Sequence, residues 1–469
     1  MKALEKGNRI LSRLGEDIPI NPSQDALDEQ IQQTQSLIRG ISESDILNYK
    51  LMTDNIKLEA MKFLAHLESI TVMIKPSVHP FVTLKMVQLT MLYGLSPVSP
   101  IGFVYFGSLL ANRGSIRLGH RFTLLAKDLL EKLEAGEVAG EVICVATEVV
   151  RFIEPLQAAI ESLAIQGESA AMAGGDIRWA CINRLQYCTM MFWACPSLSV
   201  VYDKFCEASR FMKEQHHRAS LSFMLPFQET TLILMGCETK AVTEDELSSS
   251  SHESRSPRHV MLLSFMLENH SMLKEYAEIL PEVRKSPWFL YFSDAARTLI
   301  VGLIAFQFYR ETRDPLWLER GKKCRADMKV WAEEGSLWNF QHKLLLLEAE
   351  EHYSNGNFDN APVSYTKSIA SAKAHKFIGD EALACELAAK FYLNSGNLAA
   401  SLDYFRLAHE KYHEWGALAK ANRLFTWVNK TFNKGWFDNS ALLSSTHNNV
   451  GVMDSQSPAE MDSRKRRAA

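Results

Sequence analysis

The sequence has no hydrophobic run long enough for a membrane. Its strongest apolar stretch, Thr298 to Tyr309, stands between Arg297 and Arg310. It falls well short of the about 20 residues that span a bilayer, so it predicts a buried helix. The 8 cysteines include no C-x-x-C pair, and Cys181, Cys188 and Cys195 recur at a spacing that suits small buried hydrophobes on one helix face. The first residues, Met1-Lys2-Ala3-Leu4-Glu5-Lys6, are charged and lack the apolar core of a signal peptide. Reduced thiols and a cytoplasmic setting are therefore expected. Charge of one sign is also missing: 51 Lys+Arg stand against 55 Asp+Glu, which gives no electrostatic case for a nucleic-acid binder.

Catalytic signatures are as scarce. No G-x-x-x-x-G-K-[ST] occurs, and Gly321-Lys322-Lys323 lacks the preceding glycine that a phosphate cradle needs. The H-R-D-L and D-F-G elements of kinases and the G-x-S-x-G elbow are missing too. His216-His217 is an isolated pair with no spaced Cys or Asp set. No alternating segments bounded by hairpin turns mark strands.

What is present is a repeat. Asn339 to Phe377 and Gly379 to Leu424 read as the same helical hairpin, 40 positions apart. In the first, an apolar run ends at Gly356-Asn357-Phe358, with Ala361 following. In the second, it ends at Gly396-Asn397-Leu398, with Ser401 following. The punctuation recurs upstream at Gly114-Ser115-Ile116, followed by Gly119, and at Gly175-Asp176-Ile177, followed by Ala180. A glycine that ends one helix and a small residue where the next one crosses it are what close antiparallel packing requires. Helical periodicity covers nearly every other segment, among them Leu58–Ile74, Phe81–Tyr93, Ile101–Asn112, Leu118–Leu133, Val142–Ile165, Leu198–His217 and Leu221–Gly236. The expected fold is all-α, a tetratricopeptide-like α-solenoid of antiparallel helical hairpins.

Four segments are expected. Residues 1–242 form an N-terminal helical-repeat part. Residues 243–257, with Ser248-Ser249-Ser250-Ser251, form a disordered insertion. Residues 258–437 form the C-terminal tetratricopeptide-like part, and 438–469 a disordered tail ending Arg464-Lys465-Arg466-Arg467.

One match to a metal motif stands out. His409-Glu410-Lys411-Tyr412-His413 fits H-E-x-x-H, in which two histidines one helical turn apart share zinc and the glutamate acts as general base. The third ligand position of the longer pattern is Ala419, and Phe405, Ala408, Tyr412 and Trp415 form the packed stripe of the same helix. A zinc peptidase is therefore the lesser reading, and no metal or cofactor is expected.

Several blocks are distinctive together: Leu84-Lys85-Met86-Val87, Tyr93-Gly94-Leu95-Ser96-Pro97, Gly175-Asp176-Ile177, Asn339-Phe340-Gln341-His342-Lys343 with Glu348-Ala349-Glu350, and Glu386-Leu387-Ala388-Ala389-Lys390-Phe391-Tyr392 leading to Trp415-Gly416-Ala417. The set resembles the helical region of large multidomain signalling ATPases. In those proteins a serine/threonine-kinase-like domain and an AAA/STAND-type ATPase precede the helices, and sensor, histidine-kinase or cyclase modules follow. The ATP-binding and phosphotransfer motifs of that family lie outside its helical region, so the resemblance carries no catalytic residue onto this chain. It implies a non-catalytic scaffold for protein interaction or effector sensing. The alternative is a fragment of a signalling kinase or nucleotide cyclase, since Lys6-Gly7 reads as the middle of a hairpin. The expected partner is a protein or effector, with neither nucleic acid nor membrane. Its candidate surface is the polar set Asn339, Gln341, His342 and Lys343 at the start of the first clear hairpin.

Overall fold

A computed structural model describes residues 2–160, 164–237, 257–279 and 292–432. Among these residues every regular element is helical, and the only extended pairing is an isolated bridge between Leu51 and Leu95. The order is α1 (Lys2–Arg13), α2 (Gln24–Ile38), α3 (Glu43–Leu47), α4 (Asn55–Ile74), α5 (His79–Tyr93), α6 (Ser99–Asn112), α7 (Ile116–Lys132), α8 (Gly136–Val150), α9 (Leu156–Ala159), α10 (Ile165–Ala173) and α11 (Ile177–Ala194). It continues with α12 (Leu198–Glu214), α13 (Arg218–Met235), α14 (Pro257–Met266), α15 (His270–Ile279), α16 (Phe292–Thr312), α17 (Pro315–Val330), α18 (Leu337–Ser354), α19 (Asn360–Ala374), α20 (Ile378–Asn394), α21 (Leu398–Trp415) and α22 (Leu418–Phe432). Met1–Asn422 form one compact unit, and a second unit begins at Arg423.

Helices adjacent in sequence pair in space. The helices pair as the hairpins α6/α7, α12/α13, α16/α17, α18/α19 and α20/α21, and the last three stack in chain order, with α18 against α16 and α17 and α20 against α19. The chain is thus an all-α, tetratricopeptide-like solenoid of antiparallel hairpins. The turns explain why. Gly114, Gly175, Gly356 and Gly396 all have positive φ. At each, the glycine N–H returns to the carbonyl three residues back and the next N–H to the carbonyl five back, as in Gly356 to Tyr353 (3.1 Å) and Asn357 to His352 (2.9 Å). That pair of bonds caps the helix C-terminus and needs a left-handed residue.

The small residues sit where the helices cross. Ala180, Ala361 and Ser401 are fully buried, and Ser401 Oγ donates to the Ala389 carbonyl at 2.9 Å. Gly107 and Gly119 face each other, so that a Cβ on either would lie 2.3–2.5 Å from the other's carbonyl oxygen. Only bare backbone allows α6 and α7 that approach. A continuous buried apolar cluster runs from Leu11 to Ala180.

One expectation changes. The periodic stretch Val142–Ile165 is not one helix. α8 ends at Val150 and Pro155 caps the short α9, because proline has no N–H to give and forces the preceding residue out of helical geometry. α13 does run through Pro226. The insertion 243–257, except Pro257, and the tail 438–469 lie outside the described residues. The apolar run Thr298–Tyr309 is the interior of α16 and largely buried. No described helix is long and apolar enough to cross a membrane.

Candidate functional site

Within the first unit, six helices line an open cleft whose empty space, counted out into solvent, is about 630 Å³. One wall is the end of α11, with Phe192, Trp193 and Cys195. A second is Leu262 and Met266 of α14, and a third Phe292, Ala296, Leu299 and Ile300 of α16. The start of α20 supplies Phe377, Ile378, Gly379 and Asp380, α21 ends on it with Trp415, and Lys343 of α18 closes one end.

Local sequence places these groups. Lys376 takes φ +61°, and the bond from Phe377 N–H to the Ala372 carbonyl (2.9 Å) closes the turn. Phe377 is thereby thrown inward, 2% exposed, and α20 starts directly after it. Two residues on, Gly379 lets the Trp415 indole lie close, since a Cβ there would meet the ring at 3.1 Å.

The polar end is a compact cluster. Lys343 Nζ donates to Asp380 Oδ2 at 2.6 Å and to His342 Nε2 at 2.8 Å, with the Asn339 carbonyl at 3.5 Å. His342 Nε2 lies 2.9 Å from the same Asp380 oxygen. The Lys343 ammonium stands over the Phe377 ring at 4.6 Å, and the His342 ring stacks on Phe377 at 4.6 Å between centroids. Burial, then the Lys343 charge, push the His342 imidazole down to about 4, so it is neutral near neutral pH. Burial opposes ionisation of Asp380, but the Lys343 ammonium overrides it and holds the carboxyl well below its ordinary range. The cluster is therefore one cation, one anion and one neutral ring. Asp380 Oδ1 has no hydrogen-bond partner among the described residues, and its side chain keeps 24% exposure.

The structure relocates the polar set expected to form an interaction surface. Asn339, His342 and Lys343 are 0%, 1% and 4% exposed, and Gln341 is half-buried. α18 begins at Leu337 and is flanked by α16, α17, α19 and α20, so polar residues one turn in face neighbouring helices. Leu337 and Trp338 are the exposed residues at that helix start. Lys343 and His342 join the pocket cluster, whereas Asn339 binds the loop after α8. The turn residues Gly114, Gly175, Gly356 and Gly396 lie at the ends of hairpins, away from this pocket.

The H-E-x-x-H residues do not converge on a common centre. His409 is 6% exposed, Glu410 is exposed, and the two imidazole centroids are 6.5 Å apart. Among the described residues no three His, Cys, Asp or Glu groups are placed to share a metal. Cys181 and Cys188 are buried and Cys195 half-buried, all as free thiols; burial pushes the Cys188 thiol up to about 12. Asp380 and Trp193 escaped the sequence reading, and Cys195 was read only as a small buried hydrophobe. The signal for Asp380 was a carboxylate at the third position of a helix opened by Phe377-Ile378-Gly379, visible only once Lys376 is recognised as a turn.

No protein-family profile matches the chain, and no curated protein matches it. Among solved structures, the chain is similar to a Rap protein complexed with competence and sporulation factor, at 10% identity and a TM-score of 0.36 over 86% of this chain and 100% of that one. At that level the likeness carries no argument about function.

Proposed function

We propose that the chain is a non-catalytic helical-repeat scaffold that senses an effector through the pocket at the end of α11 and the start of α20. The carrying observation is that one pocket is lined by six helices drawn from several hairpins, so a bound effector contacts several repeat units at once. A stacked array transmits such a contact through its nearest-neighbour interfaces. The mostly apolar lining with a few convergent polar groups is the usual composition of a small-ligand site.

The resemblance of the sequence blocks to the helical region of signalling ATPases extends this reading. The array would restrain an ATPase, in the cytoplasm, until the effector binds, and it would carry no ATP chemistry of its own. The test is capture of partners by the intact chain beside an Ile378→Trp variant, which places an indole at the pocket mouth. Capture of an ATPase whose turnover the parent chain lowers, with loss of that effect in a normally helical Ile378→Trp, supports the reading. Equal effects from both chains move the functional surface elsewhere.

A further inference from the structure

We propose that this pocket takes an uncharged ligand with an apolar body and a terminal hydrogen-bond donor, a primary amide or an alcohol, and that Asp380 Oδ1 receives the donor. The inference rests on the reading that this pocket is the effector site, and it names the ligand's chemistry.

The argument is an inventory of what the polar end has left to give. An ammonium has three donors. Those of Lys343 face Asp380 Oδ2, His342 Nε2 and the Asn339 carbonyl. No lysine N–H remains for a ligand anion. With His342 Nε2 accepting from Lys343, Asp380 is engaged through Oδ2 alone, by Lys343. Its Oδ1 is the unclaimed oxygen at this end, so the pocket offers an acceptor here, while the unpartnered atoms His342 Nδ1 and Trp193 Nε1 lie beside it and on the α11 wall. A carboxylate head would bring a second anion against that oxygen with no spare cation to answer it.

A cationic head is excluded by the other partner. Any group bonded to Asp380 Oδ1 lies close to the Lys343 ammonium, which sits 2.6 Å from the sister oxygen. Lys343 is 4% exposed, so little water screens the two like charges. Lys343 and Asp380 already cancel each other, and Asp380, at the third position of α20, offsets the positive end of that helix as well. A neutral donor completes the cluster without adding charge. The walls argue for the rest of the ligand: Phe192, Leu262, Met266, Leu299 and Ile300 offer no hydrogen-bonding N or O, and only the indole N–H groups of Trp193 and Trp415 and the Cys195 thiol interrupt the apolar lining.

The test is calorimetric titration of the intact chain with five probes of one chain length: octanamide, 1-octanol, methyl octanoate, octanoate and octylamine. Octanamide and 1-octanol are expected to bind at least about tenfold tighter than the other three, the worth of a hydrogen bond to a charged group. The methyl ester isolates the donor, because it keeps a carbonyl and loses the N–H. In Asp380→Asn with Lys343→Met, which removes both charges together, the preference for the amide over the ester should fall to about twofold or less. Octanoate or octylamine binding as well as octanamide overturns the neutral-donor assignment and leaves the pocket reading standing. Heat from none of the five, or heat that persists unchanged in Ile378→Trp, overturns both.

Discussion

The side-chain amide of Asn339 donates to the backbone carbonyl of Arg151 at 2.9 Å, across 188 positions of chain. The same nitrogen donates to the Glu154 carbonyl at 2.7 Å, and Oδ1 accepts from the Leu156 N–H at 3.0 Å. One buried side chain thus satisfies the irregular backbone between α8 and α9, where Pro155 stops the helical ladder. The Phe152 ring stacks on Phe340 at 5.1 Å beside it. Asn339→Ala leaves two carbonyls and one N–H without this partner. It should cost about 1–3 kcal/mol, read as a lower urea midpoint at unchanged slope. An unaltered midpoint would mean that the loop does not depend on this amide.

Lys343 and Asp380 should behave as a coupled pair. Replacing Asp380 by Ala strands a buried ammonium, and breaking a buried pair in this way costs about 3–5 kcal/mol. Replacing Lys343 by Met while Asp380 becomes Asn removes both charges and should cost clearly less than Asp380→Ala alone. A double-mutant cycle by chemical denaturation decides it. Additive losses would sink the coupling.

The sequence made the hairpins legible where glycine marked them and hid them elsewhere. Gly356, Lys376, Gly396 and Gly416 all have positive φ and stand 20 residues apart, which is one helix and one turn. Glu134, His216 and Glu268 take the same left-handed turn, with the same paired bonds as at Gly356. A search for glycine misses Glu134, His216, Glu268 and Lys376, because a favourable pair of capping bonds outweighs the strain of a side chain at positive φ. The pocket was hidden for the same reason, since Phe377 and Asp380 are placed by the turn at Lys376. The buried state of Asn339, His342 and Lys343 was illegible on other grounds. Three polar residues in a short span look solvated until the helices on either side of α18 are known.

The unmarked turns yield a stability prediction. Lys376 is exposed and carries a side chain in a conformation that costs an L-residue about 1–2 kcal/mol. Lys376→Gly removes that strain but gains unfolded-state entropy, so a net stabilisation of about 0.5–1 kcal/mol is expected. Gly396→Ala, at φ +82°, should lose a similar amount. Thermal melts of the two variants shifting in the same direction would contradict the turn assignment.

Ala361 tests the crossings. It is 0% exposed on α19, where Ser368 Oγ of the same helix donates to the His342 carbonyl of α18 at 2.7 Å. Leucine there adds three carbons to a closed interface and should cost about 1–3 kcal/mol. Ala→Leu at an exposed position of α19, such as Ala374, provides the control and should change stability little.

Glu141 gives a pH dependence of known sign. It is 7% exposed on α8, where Tyr105 Oη donates to Oε1 at 2.9 Å. Burial raises its carboxyl to about 7, against the lowering effects of Tyr105 and Arg178. Burial, then the Thr83 bond that opposes it, leave neighbouring Glu68 well above its usual range, and Glu141 adds to that rise. A folded-state pKa above the unfolded value of 4.5 means the protonated form stabilises the fold. That contribution is full below about pH 4.5 and is lost as pH rises through about 7. Glutamine keeps an oxygen for Tyr105 and never ionises. Glu141→Gln should therefore match the parent at the acid end of this window and exceed it by about 3 kcal/mol above pH 7. The measurement is urea unfolding of both proteins across the window, compared as a difference so that histidines such as His79, driven down to about 3 by burial, cancel. A difference that stays flat with pH would show that Glu141 ionises in the folded chain as it does in the unfolded one.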